Sequence, residues 1–141
     1  MPVNPTVRKF AARVHTFAYR ATGGKLGSSM RGVPIVLLTT TGRSSGRPRT
    51  TPLQSIEDGD NIIVIASNGG HKVDPQWWLN LKKDPEASLR IGGRDQPVHA
   101  QEALGHERDR LWMKALDQFP GYAGYEKTAE RQIPVVILTP G

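Results

Sequence analysis

Three arginines, Arg43, Arg47 and Arg49, fall within one 17-residue stretch, LLTTTGRSSGRPRTTPL (37–53), among serines and threonines and with no acid between them. A guanidinium offers a planar fork of donors that matches phosphate or carboxylate bidentately. Hydroxyls at Ser44, Ser45, Thr50 and Thr51 add neutral donors to the same patch. Gly42 and Gly46 permit a tight turn and a close approach of backbone amides to a ligand. Together these residues describe an anion-gripping hairpin. The same composition also makes an ordinary solvated turn between two strands.

Three further groups bear on chemistry. Ser67-Asn68-Gly69-Gly70 follows an apolar run and offers a loop whose amides can face a ligand. Trp77 and Trp78 are adjacent, so one is expected to pack in the core and the other to line a surface or pocket. Tyr122 and Tyr125 are three apart, which on a helical turn projects both hydroxyls to one side. Such a set suits a flat, anionic, aromatic molecule, with a bound cofactor supplying the reactivity. Other chemistries find no support. The four histidines, His15, His71, His99 and His106, lack ligand spacing, so no metal site is expected. There is no cysteine, no nucleophile elbow, and no glycine-lysine-hydroxyl ending of a phosphate-binding P-loop.

The elements that must carry these groups can be read from periodicity. Asn4-Pro5 opens an amphipathic helix over 1–24, with Val7, Phe10, Val14 and Phe17 on one side and Arg8, Lys9, Arg13 and Arg20 on the other. Gly27 to Gly32 is a polar connection. Strands are expected at 34–40, 50–56, 61–66, 87–91, 96–104 and 135–138, from β-branched or alternating runs bounded by turn residues. Asp74-Pro75 reads as cap and first position of a second helix, and His106–Phe119 as a third. Six antiparallel strands with inserted helices, all in one domain over 1–141, point to the α+β class and a closed or partly open barrel.

Charge narrows the partners. The first 56 residues hold nine bases and no acid, whereas the rest hold ten bases against thirteen acids, giving +6 overall. An anionic partner for the N-terminal part follows. Nucleic acid is not expected, because aromatics for base stacking are scarce near the arginines. A peripheral membrane contact through the basic N-terminal helix stays open beside simple packing on the domain or on a second copy in a homodimer. No apolar run has the length of a membrane span, and the N-terminus lacks the apolar core of a signal peptide, so a cytoplasmic location is expected.

Three segments, 37–53, IIVIASNGGHKVDPQWWLNLKKDP (62–85) and FPGYAGYEKTAERQIPVVILTP (119–140), resemble the deazaflavin-dependent nitroreductases of actinobacteria, which use coenzyme F420. The resemblance runs without gaps from about residue 33. It implies a split β-barrel of the flavin-reductase, FMN-binding-like type, with six antiparallel strands and peripheral helices. It implies hydride transfer from reduced F420, an 8-hydroxy-5-deazaflavin, to a small-molecule acceptor that is a quinone, a nitroaromatic or another conjugated compound. Cofactor contacts carried over by the resemblance are Arg43, Ser44, Ser45 and Arg49 at the phosphate and acidic tail, then Thr50, Thr51, Pro52, Leu53 and Gln54 along the cofactor. Ala66, Ser67 and Asn68 fall at the ring, and Trp77, Trp78 and Asn80 close the pocket. Tyr122, Tyr125 and Ser67 are the implied catalytic residues, by proton donation and hydrogen bonding to substrate. Ser44 and Asn68 stand where the family prototype carries lysines, and Gln54 and Phe119 where it carries tyrosines. Two alternatives accompany this reading: an FMN-binding split-barrel oxidoreductase, and a non-catalytic F420-binding or membrane-docking protein.

Overall fold

The computed structural model of the protein describes Ser29, Met30 and residues 33–141. The N-terminal helix expected over 1–24 and most of the connection after it lie outside the described residues. The strands are β1 (Ser29–Met30), β2 (Val33–Thr41), β3 (Pro48–Gln54), β4 (Ile56–Asp58), β5 (Asn61–Ile65), β6 (Glu86–Ile91), β7 (Arg94–Glu102) and β8 (Val135–Pro140). The helices are α1 (Gln76–Lys83), α2 (Gly105–Gln118) and α3 (Tyr122–Ala129). All pairings are antiparallel, in the order β3-β2-β6-β7-β8-β5-β4, with the short β1 added beside β2.

The eight segments and the six expected strands are reconciled at Ser55. The run expected as one strand over 50–56 is divided there into β3, which pairs with β2, and β4, which pairs with β5 at the opposite end of the order. Ser55 is buried, its N–H donates to the Pro34 carbonyl at 3.0 Å, and its own carbonyl accepts from Gln118 Nε2 at 2.7 Å. One chain segment thus joins both ends of the sheet and curls it into a barrel. With β3 and β4 counted as a single bent strand, and β1 as a short addition, the barrel is six-stranded.

Packing follows the period of two along each strand. In β5, Val64 faces one apolar cluster while Ile63 and Ile65 face the other; in β8, Val136 and Leu138 face the first, Val135 and Ile137 the second. These two strands are buried on both sides, which is why their sequences are nearly continuous apolar runs. The first cluster takes Trp77, Trp78 and Leu81 from α1, and the second takes Leu111 and Ala115 from α2 with Tyr122 from α3. Outside the cluster, α2 is tied to the β4–β5 turn. Arg110 bonds Asp58 through both carboxylate oxygens at 2.9 Å, and Lys114 reaches it at 3.2 Å. The Arg110 hydrogen bond leads in holding the Asp58 carboxyl down at about 2.

One sequence expectation about α1 needs correction. Asp74 does not cap it: the helix starts at Gln76 after an extended Pro75 with no side-chain cap bond, and the Asp74 carboxylate pairs with Arg131 at 2.8 Å instead. Both tryptophans are 5% exposed and share one cluster, so neither reaches the open surface, while Trp77 also lines a cleft as expected of one of the pair. Neighbours on a helix differ in direction by about 100°. Here Trp77, Trp78, Asn80 and Leu81 are all buried in an eight-residue helix, so α1 is enclosed over a wide arc.

Candidate functional site

A cleft of about 420 Å³ lies between the β2–β3 turn and α1, lined by Gly42, Arg43, Ser44, Ser45, Arg49, Thr50, Thr51, Gln76, Trp77 and Asn80. Eight of the expected cofactor residues therefore meet in one place, and none of the lining residues is an acid. Arg47 is not among them. Gln76 is, although nothing in its sequence setting marked it; only the fold brings the first turn of α1 against the hairpin.

The turn is built for tightness. A Cβ at Gly42 would sit 2.6 Å from Ser45 Oγ, and Gly46 has φ +70°, so both positions require glycine. The Gly42 N–H donates to the Arg47 carbonyl and the Gly46 N–H to the Gly42 carbonyl, both at 2.8 Å. The Arg47 N–H donates to Ser45 Oγ and the Arg43 N–H to Asn80 Oδ1, both at 3.1 Å. Four of the turn's amides are thus consumed internally. The N–H groups of Ser44 and Ser45 have no partner among the described residues and stay open to a ligand beside the side chains.

Those side chains are available. Arg43 Nη1 donates to Asn80 Oδ1 at 3.0 Å, which aims the guanidinium while leaving Nε and Nη2 without partners among the described residues. Asn80 is itself anchored by its donation to Thr40 Oγ1 at 3.1 Å, and Lys83 Nζ holds the Arg43 carbonyl at 2.8 Å. Arg49 is exposed and its side chain has no hydrogen-bond or ion-pair partner among the described residues. Two partly or wholly unpaired guanidiniums in an acid-free cleft form a receptor for an anion carrying phosphate or carboxylate.

The remaining expected residues lie outside this cleft, and of these Gln54, Tyr122 and Tyr125 meet at the far end of β3. Gln54 is five steps along the strand from Arg49, a span of roughly 16 Å at strand rise. Pro52 is exposed and Leu53 half-buried along the way. Gln54 Oε1 accepts the Tyr122 hydroxyl at 3.0 Å. Tyr122 is 5% exposed, against Phe119 at a ring separation of 5.1 Å and Tyr125 at 6.1 Å. Burial, with a smaller contribution from Tyr125, pushes its hydroxyl up to about 12.

Ala66 and Ser67 are buried at the end of β5, followed by a 3₁₀ turn over Asn68–Gly70. Asn68, Gly69 and Gly70 all have positive φ. Gly70 packs on α3, so that a Cβ there would meet Tyr125 at 3.2 Å, and its N–H is spent on the Ser67 carbonyl. The pair of glycines hence does not offer both amides to a ligand; Gly70 serves a close backbone approach instead. Asn68 Nδ2 donates to the Val73 carbonyl at 3.0 Å. Trp78 is in the core beside Trp77, with Lys82 Nζ 6.0 Å from its ring.

Against this geometry stand the relatives. Residues 11–140 match the F420H(2)-dependent quinone reductase family. The chain belongs to this family. It is 37% identical over 131 residues to the F420H(2)-dependent quinone reductase Rv1261c of Mycobacterium tuberculosis, covering 90% of this chain and 88% of that one. Among solved structures it resembles the F420-H2 dependent reductase FDR-A, with TM-score 0.69 and 40% identity over 74% of this chain and 93% of the other. A domain-swapped dimer matches with TM-score 0.70 and 34% identity, over 91% of this chain and 98% of the other. The family member described here is thus an F420H2-dependent oxidoreductase with a split β-barrel of the flavin-reductase type, and coenzyme F420 is its cofactor. The cleft fits that group: an acidic, phosphorylated tail calls for donor-rich, acid-free surroundings, and the reductase supplies them at Arg43, Arg49, Ser44 and Ser45. No helix among its described residues is long and apolar enough to cross a membrane.

Proposed function

We propose that the protein reduces a quinone with reduced F420, and that nitroaromatic and other conjugated acceptors fall within the range of the same site. The observation that carries this reading is the acid-free cleft, with its unpaired guanidiniums, joined by β3 to the Tyr122–Gln54 pair. When bound in its reduced form, the deazaflavin supplies a hydride. Arg43 and Arg49 hold the phosphate and the carboxylates of the tail, with Ser44 and Ser45 beside them. Thr50, Thr51, Pro52, Leu53 and Gln54 guide the middle of the molecule along β3. Ala66, Ser67 and Asn68 border the ring, while Trp77 and Asn80, backed by Trp78, close the pocket around the tail. Fixing both reactants in one geometry removes most of the entropic barrier to transfer.

The acceptor gains a hydride and then a proton, which together convert a quinone to its hydroquinone. The Ser67 hydroxyl donates to the acceptor oxygen as negative charge develops there. With its own pKa raised to about 12, Tyr122 is neutral at ordinary pH and already donates to Gln54 Oε1. It therefore orients the Gln54 amide, and water restores the proton, with Tyr125 flanking the acceptor. Two further proposals concern assembly: a homodimer, supported by the likeness to a domain-swapped dimer, and peripheral membrane contact through the basic N-terminal segment.

Anaerobic mixing with reduced F420 and menadione tests the enzyme reading. Return of the oxidised coenzyme's absorbance, dependent on both protein and quinone, is the expected result. Absence of turnover with every quinone tried would overturn it.

A further inference from the structure

Arg131 stands two residues beyond α3, after Glu130 in the left-handed conformation (φ +54°). Its side chain is 17% exposed, and all three of its nitrogens are engaged. Nη1 donates to Asp74 Oδ1 at 2.8 Å, and Nε to the His71 carbonyl at 3.2 Å. Nη2 lies within hydrogen-bond distance of the carbonyls of Ala66 and Ser67, each at 3.3 Å, and of Val73 at 3.1 Å. One guanidinium therefore joins the end of β5, the loop after it, the approach to α1 and the exit of α3. Lysine has no equivalent of this planar fork.

The loop it holds has three successive positive-φ residues, one of them the non-glycine Asn68. Positive φ is ordinary for glycine and comparatively accessible to asparagine, so the loop's placement is set by its contacts. Here the determinants are Arg131 on one side and Tyr125 against Gly70 on the other. We infer that Arg131 is a positioning residue for hydride transfer: it sets Ser67 and Asn68 against the Tyr122–Tyr125 side of the site, independently of the arginines that hold the coenzyme's tail. This inference rests on the proposed placement of the ring at Ala66–Asn68.

Independence of the two ends makes a distinctive signature. In Arg131→Lys, the affinity for oxidised F420 stays within about threefold of wild type, because the tail cleft is untouched. The kcat for reduced F420 with menadione falls by about 100-fold, the scale on which sub-ångström to ångström misplacement acts. Hydrogen exchange of the coenzyme-free protein accelerates at amides 67–73 while the β2–β3 turn keeps its protection. Wild-type kcat in Arg131→Lys overturns the inference, as does a proportional loss of affinity and turnover. Asp74→Asn, which removes the carboxylate charge facing Arg131 at 2.8 Å and Lys82 at 3.8 Å, gives a second reading should the first variant not fold. It lowers kcat about tenfold with affinity held, and unchanged kcat there counts equally against the proposal. Should the wild type itself fail to oxidise reduced F420, the quinone reductase reading falls, while the exchange measurement still decides whether Arg131 orders the loop.

Discussion

Asn80 Oδ1 accepts from Arg43 twice, from the backbone N–H at 3.1 Å and from Nη1 at 3.0 Å, across 37 residues of sequence. The contact fixes both the turn and the direction of its first arginine before any ligand arrives. Asn80 is 3% exposed, so these bonds form away from competing water. A pre-aimed guanidinium loses less side-chain entropy on binding than a free one.

Asn80→Ala should therefore act on two observables. It strands the Arg43 N–H and the Thr40 hydroxyl, which costs on the order of 1–3 kcal/mol of stability. It also frees Arg43 to wander, which weakens F420 by about tenfold. Thermal unfolding and a fluorescence titration check each in turn; undiminished affinity would show that the latch is structural only.

Tyr122 makes a pH prediction with a definite sign. Its hydroxyl is raised from 10.0 to about 12 in the folded protein, so the unfolded chain releases the proton first as pH rises. Stability is full below pH 10 and declines between 10 and 12, by about 3 kcal/mol at most. Tyr122→Phe should abolish that part of the decline. Over the neutral range the same variant leaves the pH profile of kcat unchanged, because the hydroxyl does not titrate there.

How much of this was visible beforehand depends on the range of the interaction. The barrel strands were legible because residues such as Val64 and Ile65 alternate faces within a few positions, and Asp58-Gly59 closes its hairpin locally. The division at Ser55 was not, since Ile56 continues the apolar run and the partner switch depends on Pro34 and Gln118. The cleft arginines, Arg43 and Arg49, could be singled out by crowding in sequence. Arg131 could not: its contacts at Ala66, Ser67 and Asp74 lie 57–65 residues away, and a lone arginine in a polar stretch gives no signal. Asp74 misled for the same reason, as its cap-like position before Pro75 was outweighed by a distant guanidinium.

The glycines of the loop after β5 should separate by what surrounds them. Gly69 has φ +63° with open space about it, so Gly69→Ala costs only the left-handed backbone, about 1–2 kcal/mol. Gly70 has φ +86° and a methyl there would crowd Tyr125 Cα at 3.3 Å, so Gly70→Ala adds a packing penalty of about 1–3 kcal/mol. Urea unfolding of both variants measures the gap, and equal losses would mean that α3 yields freely.

Strong acid should release α2 from the β4–β5 turn. Asp58 ionises at about 2, chiefly through its Arg110 hydrogen bond, against 3.8 ordinarily. The stability it contributes is present above about pH 4 and is lost as pH falls towards 2. Asp58→Asn should flatten unfolding-stability curves across that window; a wild-type slope in the variant would contradict the assignment.

The most direct measurement is a calorimetric titration of F420 into wild type and into the Arg43→Gln/Arg49→Gln double variant, with FMN titrated alongside. Loss of two charge-assisted contacts should weaken F420 by about 100-fold or more, with the unfolding temperature nearly unchanged. FMN, which has the phosphate but no acidic tail, should bind the wild type more weakly than F420 does. Undiminished F420 affinity in the double variant, or FMN binding as tight as F420, would contradict a cleft whose arginines hold the coenzyme's anionic tail.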